Sequence, residues 1–160
     1  MTVLKSKRTR SRLEVLYNTT RLHDDAVDLV LRSFGVYSRN SPLRHKYDKL
    51  VVNDKNREYL DTLIEKYKSD LLESVTSIER NIRSAKSFYP SSKCEYDLRR
   101  LYQDEALAQC STAMTILDEV VRIFDVDINC FKTVVERLTY QESLIKRWKK
   151  SDRKRFGNLQ

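Results

Sequence analysis

Residues 98–124 read LRRLYQDEALAQCSTAMTILDEVVRIF, and this stretch decides the fold. Leu98, Leu101, Tyr102, Ala106, Cys110, Ala113, Leu117, Val120, Val121 and Phe124 recur at three- and four-residue spacing. That period puts them on one stripe of an α-helix. No Gly or Pro interrupts it. The middle is rich in small residues, Ala106, Ala108, Ser111, Thr112 and Ala113, which predicts close approach by a neighbouring helix. Just upstream, Ser92 with Glu95 three residues later forms a capping box, in which the hydroxyl serves the N3 amide and the carboxylate reaches back to the cap amide. A helix over 92–124 follows.

The same period extends in both directions. Leu60, Leu63, Ile64, Tyr67, Leu71, Val75, Ile78, Ile82, Ala85 and Phe88 predict a helix over 55–88, stopped by Pro90. Leu13, Leu16, Thr20, His23, Val27, Val30 and Phe34, widened by Leu22, Ala26, Leu29 and Leu31, predict one over 8–34. Gly35 suits its left-handed C-terminal residue. After 124 the run Asp125-Val126-Asp127 breaks the pattern, and Asp127 is a good N-cap. Ile128, Phe131, Val134, Val135, Leu138, Ile145 and Trp148 then predict a helix over 127–152. Gln141 and Glu142 fall where that stripe should pass, so either the stripe drifts or a polar group meets a partner helix. Residues 35–54 lack a period and are broken by Asn40, Ser41, Pro42 and Asn53, which predicts a long loop. The expected fold is all-α: an antiparallel up-down-up-down four-helix bundle, one domain over 1–160.

Composition excludes much else. Only 2 Gly and 2 Pro occur in 160 residues, too few for the turns of a sandwich or barrel. No two glycines lie closer than Gly35 and Gly157, so no Gly-rich phosphate loop exists. No apolar run approaches membrane-spanning length, and Met1–Arg12 contains no secretory apolar core. Cys94, Cys110 and Cys130 are odd in number and lack metal-binding spacing, which reads as reduced thiols in a cytoplasmic protein. No membrane, metal or cofactor is expected.

Charge is the strongest functional signal. The chain carries 31 Lys and Arg against 23 Asp and Glu, for a net charge of +8. Residues 1–12 hold Lys5, Lys7, Arg8, Arg10 and Arg12 with no anion. Residues 146–155 hold Lys146, Arg147, Lys149, Lys150, Arg153, Lys154 and Arg155 against Asp152 alone. The rest of the chain has 19 cations and 22 anions, so the positive excess belongs to the two ends. An antiparallel bundle would bring those ends to one pole, beside Arg80, Arg83 and Lys86 and beside Lys93, Arg99 and Arg100. Such a pole suits a polyanion. Lys146, Lys149, Lys150 and Arg153 share one helical side, each able to displace a counterion from a phosphate backbone. Trp148 reads as an anchor at the end of the core. Charged ends that merely aid solubility are the plainer reading.

Catalytic patterns are sparse. There is no Glu-x-x-His pair for a di-metal bundle. His23 sits on the first stripe as a core or boundary residue, and Cys110 is a small core residue. Arg39 and His45 have the Arg-x(4–6)-His spacing of HEPN-type ribonucleases, but the motif contains Ser41-Pro42 and falls in the loop. Asn18-Thr19-Thr20 matches a glycosylation sequon inside a helix, which carries no weight.

Three stretches together carry a resemblance. They are Arg99-Arg100-Leu101-Tyr102-Gln103-Asp104-Glu105-Ala106 with Cys110, then Phe124-Asp125-Val126-Asp127-Ile128-Asn129, then Glu142-Ser143-Leu144-Ile145-Lys146-Arg147-Trp148-Lys149. A bundle whose third helix opens Arg-rich and whose fourth ends in Leu-Ile-x-x-Trp followed by cations resembles the accessory variability determinant (Avd) proteins of diversity-generating retroelements. It is also similar to the four-helix proteins of ribosomal intervening sequences. The resemblance covers the last three helices best. It implies a homopentamer with no catalytic activity, one that binds nucleic acid through a basic surface and scaffolds a reverse transcriptase with its template RNA during mutagenic retrohoming. Arg99, Arg100 and Lys146–Arg155 would match that surface. The alternatives are an unrelated RNA-binding or ribosome-associated bundle, and a HEPN-like ribonuclease.

Overall fold

A computed structural model describes residues 5–37 and 54–159. Four long helices make up most of them: α1 (Lys5–Leu31), α2 (Asp54–Ser87), α3 (Lys93–Phe124) and α4 (Lys132–Phe156). Short 3-10 turns sit at Ser33–Gly35 and Ile128–Phe131, and no strand occurs among the described residues. The expected loop and the Arg39…His45 spacing fall on positions 38–53, outside the described residues.

Helix α1 packs against α2 and α4, and α3 packs against the same two. Residue pairings give the directions. Phe88 stacks on Tyr102 and Tyr67 meets Phe124 edge-on, so α2 and α3 run antiparallel. Asn18 bonds Gln141 and Asp25 pairs with Arg137, so α1 and α4 do likewise. The core between them contains Leu22, Ile64, Leu71, Ile78, Ile82, Leu117, Leu138 and Ile145, all essentially without exposure. Burying each such side chain favours the fold by about 1.5–3 kcal/mol relative to leaving it in water. Leu63 is only half-buried, at the edge of this core. Burial pushes the Cys110 thiol up to about 12, so it stays protonated and packs as a small apolar group.

Local chemistry moves the helix boundaries. α1 ends at Leu31 rather than 34, because Ser33, Phe34 and Gly35 take φ of 48°, 55° and 79°. A right-handed helix cannot continue through left-handed residues. Gly35 adopts the left-handed conformation expected of it, but it closes a separate turn. That turn delivers Phe34 into the core, stacked on Phe131 at 6.1 Å. The buried face of α1 is also rotated from the expected one. Val15, Thr19, Leu22, Ala26 and Leu29 form its centre, while Thr20 and Leu31 are exposed and His23 and Val27 flank it.

Asp127 caps the 3-10 turn by accepting from the Asn129 amide, and α4 proper begins five residues later. Ile128, assigned to the apolar stripe, is exposed. α4 continues to Phe156, four residues beyond the expected end. At α3 the Ser92 hydroxyl accepts from the Glu95 amide as expected. The Glu95 carboxylate accepts chiefly from the Ser91 amide and hydroxyl, with the Ser92 cap amide a smaller contributor, and these bonds lower its pKa.

Gln141 is fully buried and faces a partner helix. Its amide accepts from Asn18 at 2.6 Å and donates to the Thr19 hydroxyl at 2.8 Å and to the Val15 carbonyl at 3.3 Å. This satisfied layer sets the register of α4 against α1. Asn18 of the sequon is therefore buried.

Candidate nucleic-acid interface

The basic segments run towards one end of the molecule. Val15 and Leu16 line a small closed space together with Ile82, Lys86 and Trp148, so the first turns of α1 lead towards the end of α4. Lys5, Lys7, Arg8, Arg10 and Arg12 fall in those first turns. On α4, Lys146, Arg147, Lys150, Arg153, Lys154 and Arg155 are exposed. Arg80 and Lys86 at the end of α2 and Arg100 near the start of α3 are exposed at the same pole.

Their surroundings differ. Lys146 reaches Glu142 at 3.0 Å one turn back, and Lys149 lies half-buried against Asp104 of α3. Arg147 lies over the Tyr140 ring at 6.0 Å. Lys150, Arg153, Lys154 and Arg155 have no acidic partner among the described residues. The last turn of a helix welcomes one or two cations through its dipole, which leaves most of this cluster without an internal purpose.

Arg99 does not belong to the surface. Its side chain and that of Asp152 are each 2% exposed. The guanidinium grips the carboxylate with two bonds, Nε to Oδ2 at 2.7 Å and Nη2 to Oδ1 at 3.0 Å. Nη1 donates to the Phe88 carbonyl at 2.6 Å, just past the end of α2. Gln103 Nε2 donates to the same carboxylate at 2.8 Å. Trp148 and Phe156 flank the guanidinium, with ring centroids at 5.0 and 5.7 Å. A charge so enclosed and saturated cannot meet a phosphate. Arg99 instead ties α2, α3 and α4 together, while its neighbour Arg100 points outward.

The arrangement has two consequences. Trp148 is not the last core layer, since Asp152 and Phe156 add another beneath the cations. And the only anion of the 146–155 segment is turned inward and neutralised, so the exposed positions of that segment carry cations alone.

Among the described residues no group of three or more His, Cys, Asp or Glu is placed to hold a metal ion. No described helix is long and apolar enough to cross a membrane. Comparison of the chain with protein-family models, with curated proteins and with solved structures gives no match.

Proposed function

We propose that this chain is a non-catalytic nucleic-acid-binding protein whose basic pole holds a phosphate backbone. The observation that carries this reading is the cluster Lys150, Arg153, Lys154 and Arg155, exposed and without acidic partners among the described residues, beside the cationic first turns of α1. An up-down-up-down arrangement of the four helices would bring the two basic terminal segments to that pole, which supports this reading. Following the resemblance to Avd proteins, its role is to scaffold a reverse transcriptase and its template RNA in a diversity-generating retroelement in the cytoplasm. A reverse transcriptase gene and paired near-identical repeats beside this gene are what that role requires. Without them the reading contracts to an RNA-binding bundle with another partner.

Salt titration of RNA binding tests the pole. Replacing Lys150, Arg153, Lys154 and Arg155 by Gln removes up to four phosphate contacts. For duplex RNA the slope of log K against log salt should flatten by about 3–4 units, at about 0.9 per contact. A matching set at the opposite pole, Arg32, Arg57, Lys66 and Lys132 to Gln, should leave it unchanged. Equal slopes for parent and both variants would make the cluster a solubilising tail.

The reading also makes the protein a homo-oligomer, a pentamer by resemblance. Leu101, Ala108, Thr112 and Thr115 recur along one outward side of α3, where a second copy can approach closely. Light scattering should give five times the 19.0 kDa chain mass. A monomer at micromolar concentration would remove this part of the proposal.

A further inference from the structure

Two exposed tyrosines lie on the outer sides of α1 and α4, each under a guanidinium of its own helix. Tyr17 is 59% exposed, with Arg21 at 4.9 Å from its ring centroid. Tyr140 is 41% exposed, with Arg147 at 6.0 Å. On α1, Glu14, Tyr17 and Arg21 follow at three- and four-residue spacing. On α4, Tyr140, Arg147 and Lys154 are seven apart, so each set shares a face. The Tyr140 hydroxyl donates to Glu14 and links the two sets across the seam. The helices run antiparallel, so the order towards the basic pole is Arg21, Tyr17, the Glu14–Tyr140 link, Arg147, Lys154. Beneath lies the buried Asn18–Gln141–Thr19 layer, which holds the seam rigid.

A single exposed tyrosine is ordinary. Two of them, flanked by Arg21 and Arg147 and leading towards the exposed cations at the end of α4, present a series of planar faces. We propose that this seam extends the basic pole into a stacking track for a single RNA strand, with unpaired bases lying against the Tyr17 and Tyr140 rings and the arginine planes. The inference rests on the reading of the pole as a phosphate-binding surface. A duplex turns its base faces inward and would meet only the cations, whereas an unpaired strand offers its π-faces to aromatic and guanidinium planes. Glu14 is the one anion in the row. Its carboxylate is taken up by the Tyr140 hydroxyl, which this hydrogen bond keeps protonated above the ordinary phenol range.

The test compares an unstructured single-stranded RNA 20-mer with the same sequence as duplex, by fluorescence anisotropy. A base stacked on one aromatic contributes a factor of about 5–150 in affinity. Tyr17→Ala with Tyr140→Ala should weaken single-strand binding at least about tenfold while leaving duplex affinity and both salt slopes unchanged. In a Glu14→Gln background, where no carboxylate is released into the row, Tyr17→Phe with Tyr140→Phe keeps the rings and should keep the affinity, while the Ala pair should still lose it. Circular dichroism checks that each variant folds. Equal losses for the Ala and Phe pairs, or no loss for either, would overturn the track. If the parent then still binds both probes with a steep salt slope, the phosphate-binding pole stands without it. A parent that binds neither probe removes both.

Discussion

Asp152→Ala should destabilise the fold by about 3–5 kcal/mol, the cost of leaving a buried charge without its partner. Arg99 would keep only the Phe88 carbonyl, and Gln103 would lose its acceptor as well. The guanidinium sits 2% exposed among Trp148, Phe156 and the helix backbones, so water cannot replace the carboxylate without opening the end of the bundle. A surface ion pair would be worth about 0–1 kcal/mol, which separates the two accounts of Arg99 cleanly. Urea denaturation reads the difference through the transition midpoint. The triple variant Arg99→Met, Gln103→Leu, Asp152→Leu should recover part of the loss, because an apolar set needs no desolvation of charge and leaves no buried Gln103 amide unpaired. A single Asp152→Ala variant within about 0.5 kcal/mol of the parent, the range of ordinary surface substitutions, would show that the pair does not hold the three helices together.

Phe131→Ala should cost about 3–5 kcal/mol at the opposite end. Phe131 is 1% exposed and stacks on Phe34 at an interplanar angle of 10°. Phe34 is held at a φ of 55°, a conformation that strains a bulky side chain by about 1–3 kcal/mol. The fold tolerates that strain because the turn places the ring in the core. Removing the partner ring leaves the strain and takes away its compensation. For a chain of this length each kcal/mol lowers Tm by about 2–4 °C, so a fall of about 10 °C is expected. Leu31→Ala is the control: Leu31 is exposed, and its loss should leave Tm almost unchanged. A Phe131→Ala melt that overlays the control would mean the aromatic pair does not anchor this end.

Helix content was legible because a 3.6-residue apolar period over about 30 residues has no other low-energy solution, and few Gly or Pro residues interrupt it. α2 came within a residue at each end, and Ser92 named the start of α3. The rotation of the helices was legible only where the stripe was apolar. At the start of α3, Leu98, Leu101 and Tyr102 drew the stripe towards themselves, yet Leu101 is 54% exposed. A signal for the true face was present. Tracing positions 124, 120, 117, 113, 110 and 106 back at the same alternating spacing reaches Gln103 and Arg99. Tracing 148 forward by fours reaches Asp152 and Phe156. Both continuations pass through charged or polar residues, which a hydrophobicity pattern assigns to water.

The candidate interface divides in the same way. The sequence by itself determined that cations concentrate in two terminal segments, because charge is carried by residue type and needs no coordinates. Only the tertiary structure decided which of those charges face outward. A buried Arg is stable when bidentate contact and a second acceptor repay its desolvation, and the residues that supply them, Asp152 and Phe88, lie 53 and 11 positions from Arg99. Proximity of that kind arises from the packing of three helices; the spacing that puts Arg99 rather than Arg100 on the inward stripe says nothing of the partners that meet it there.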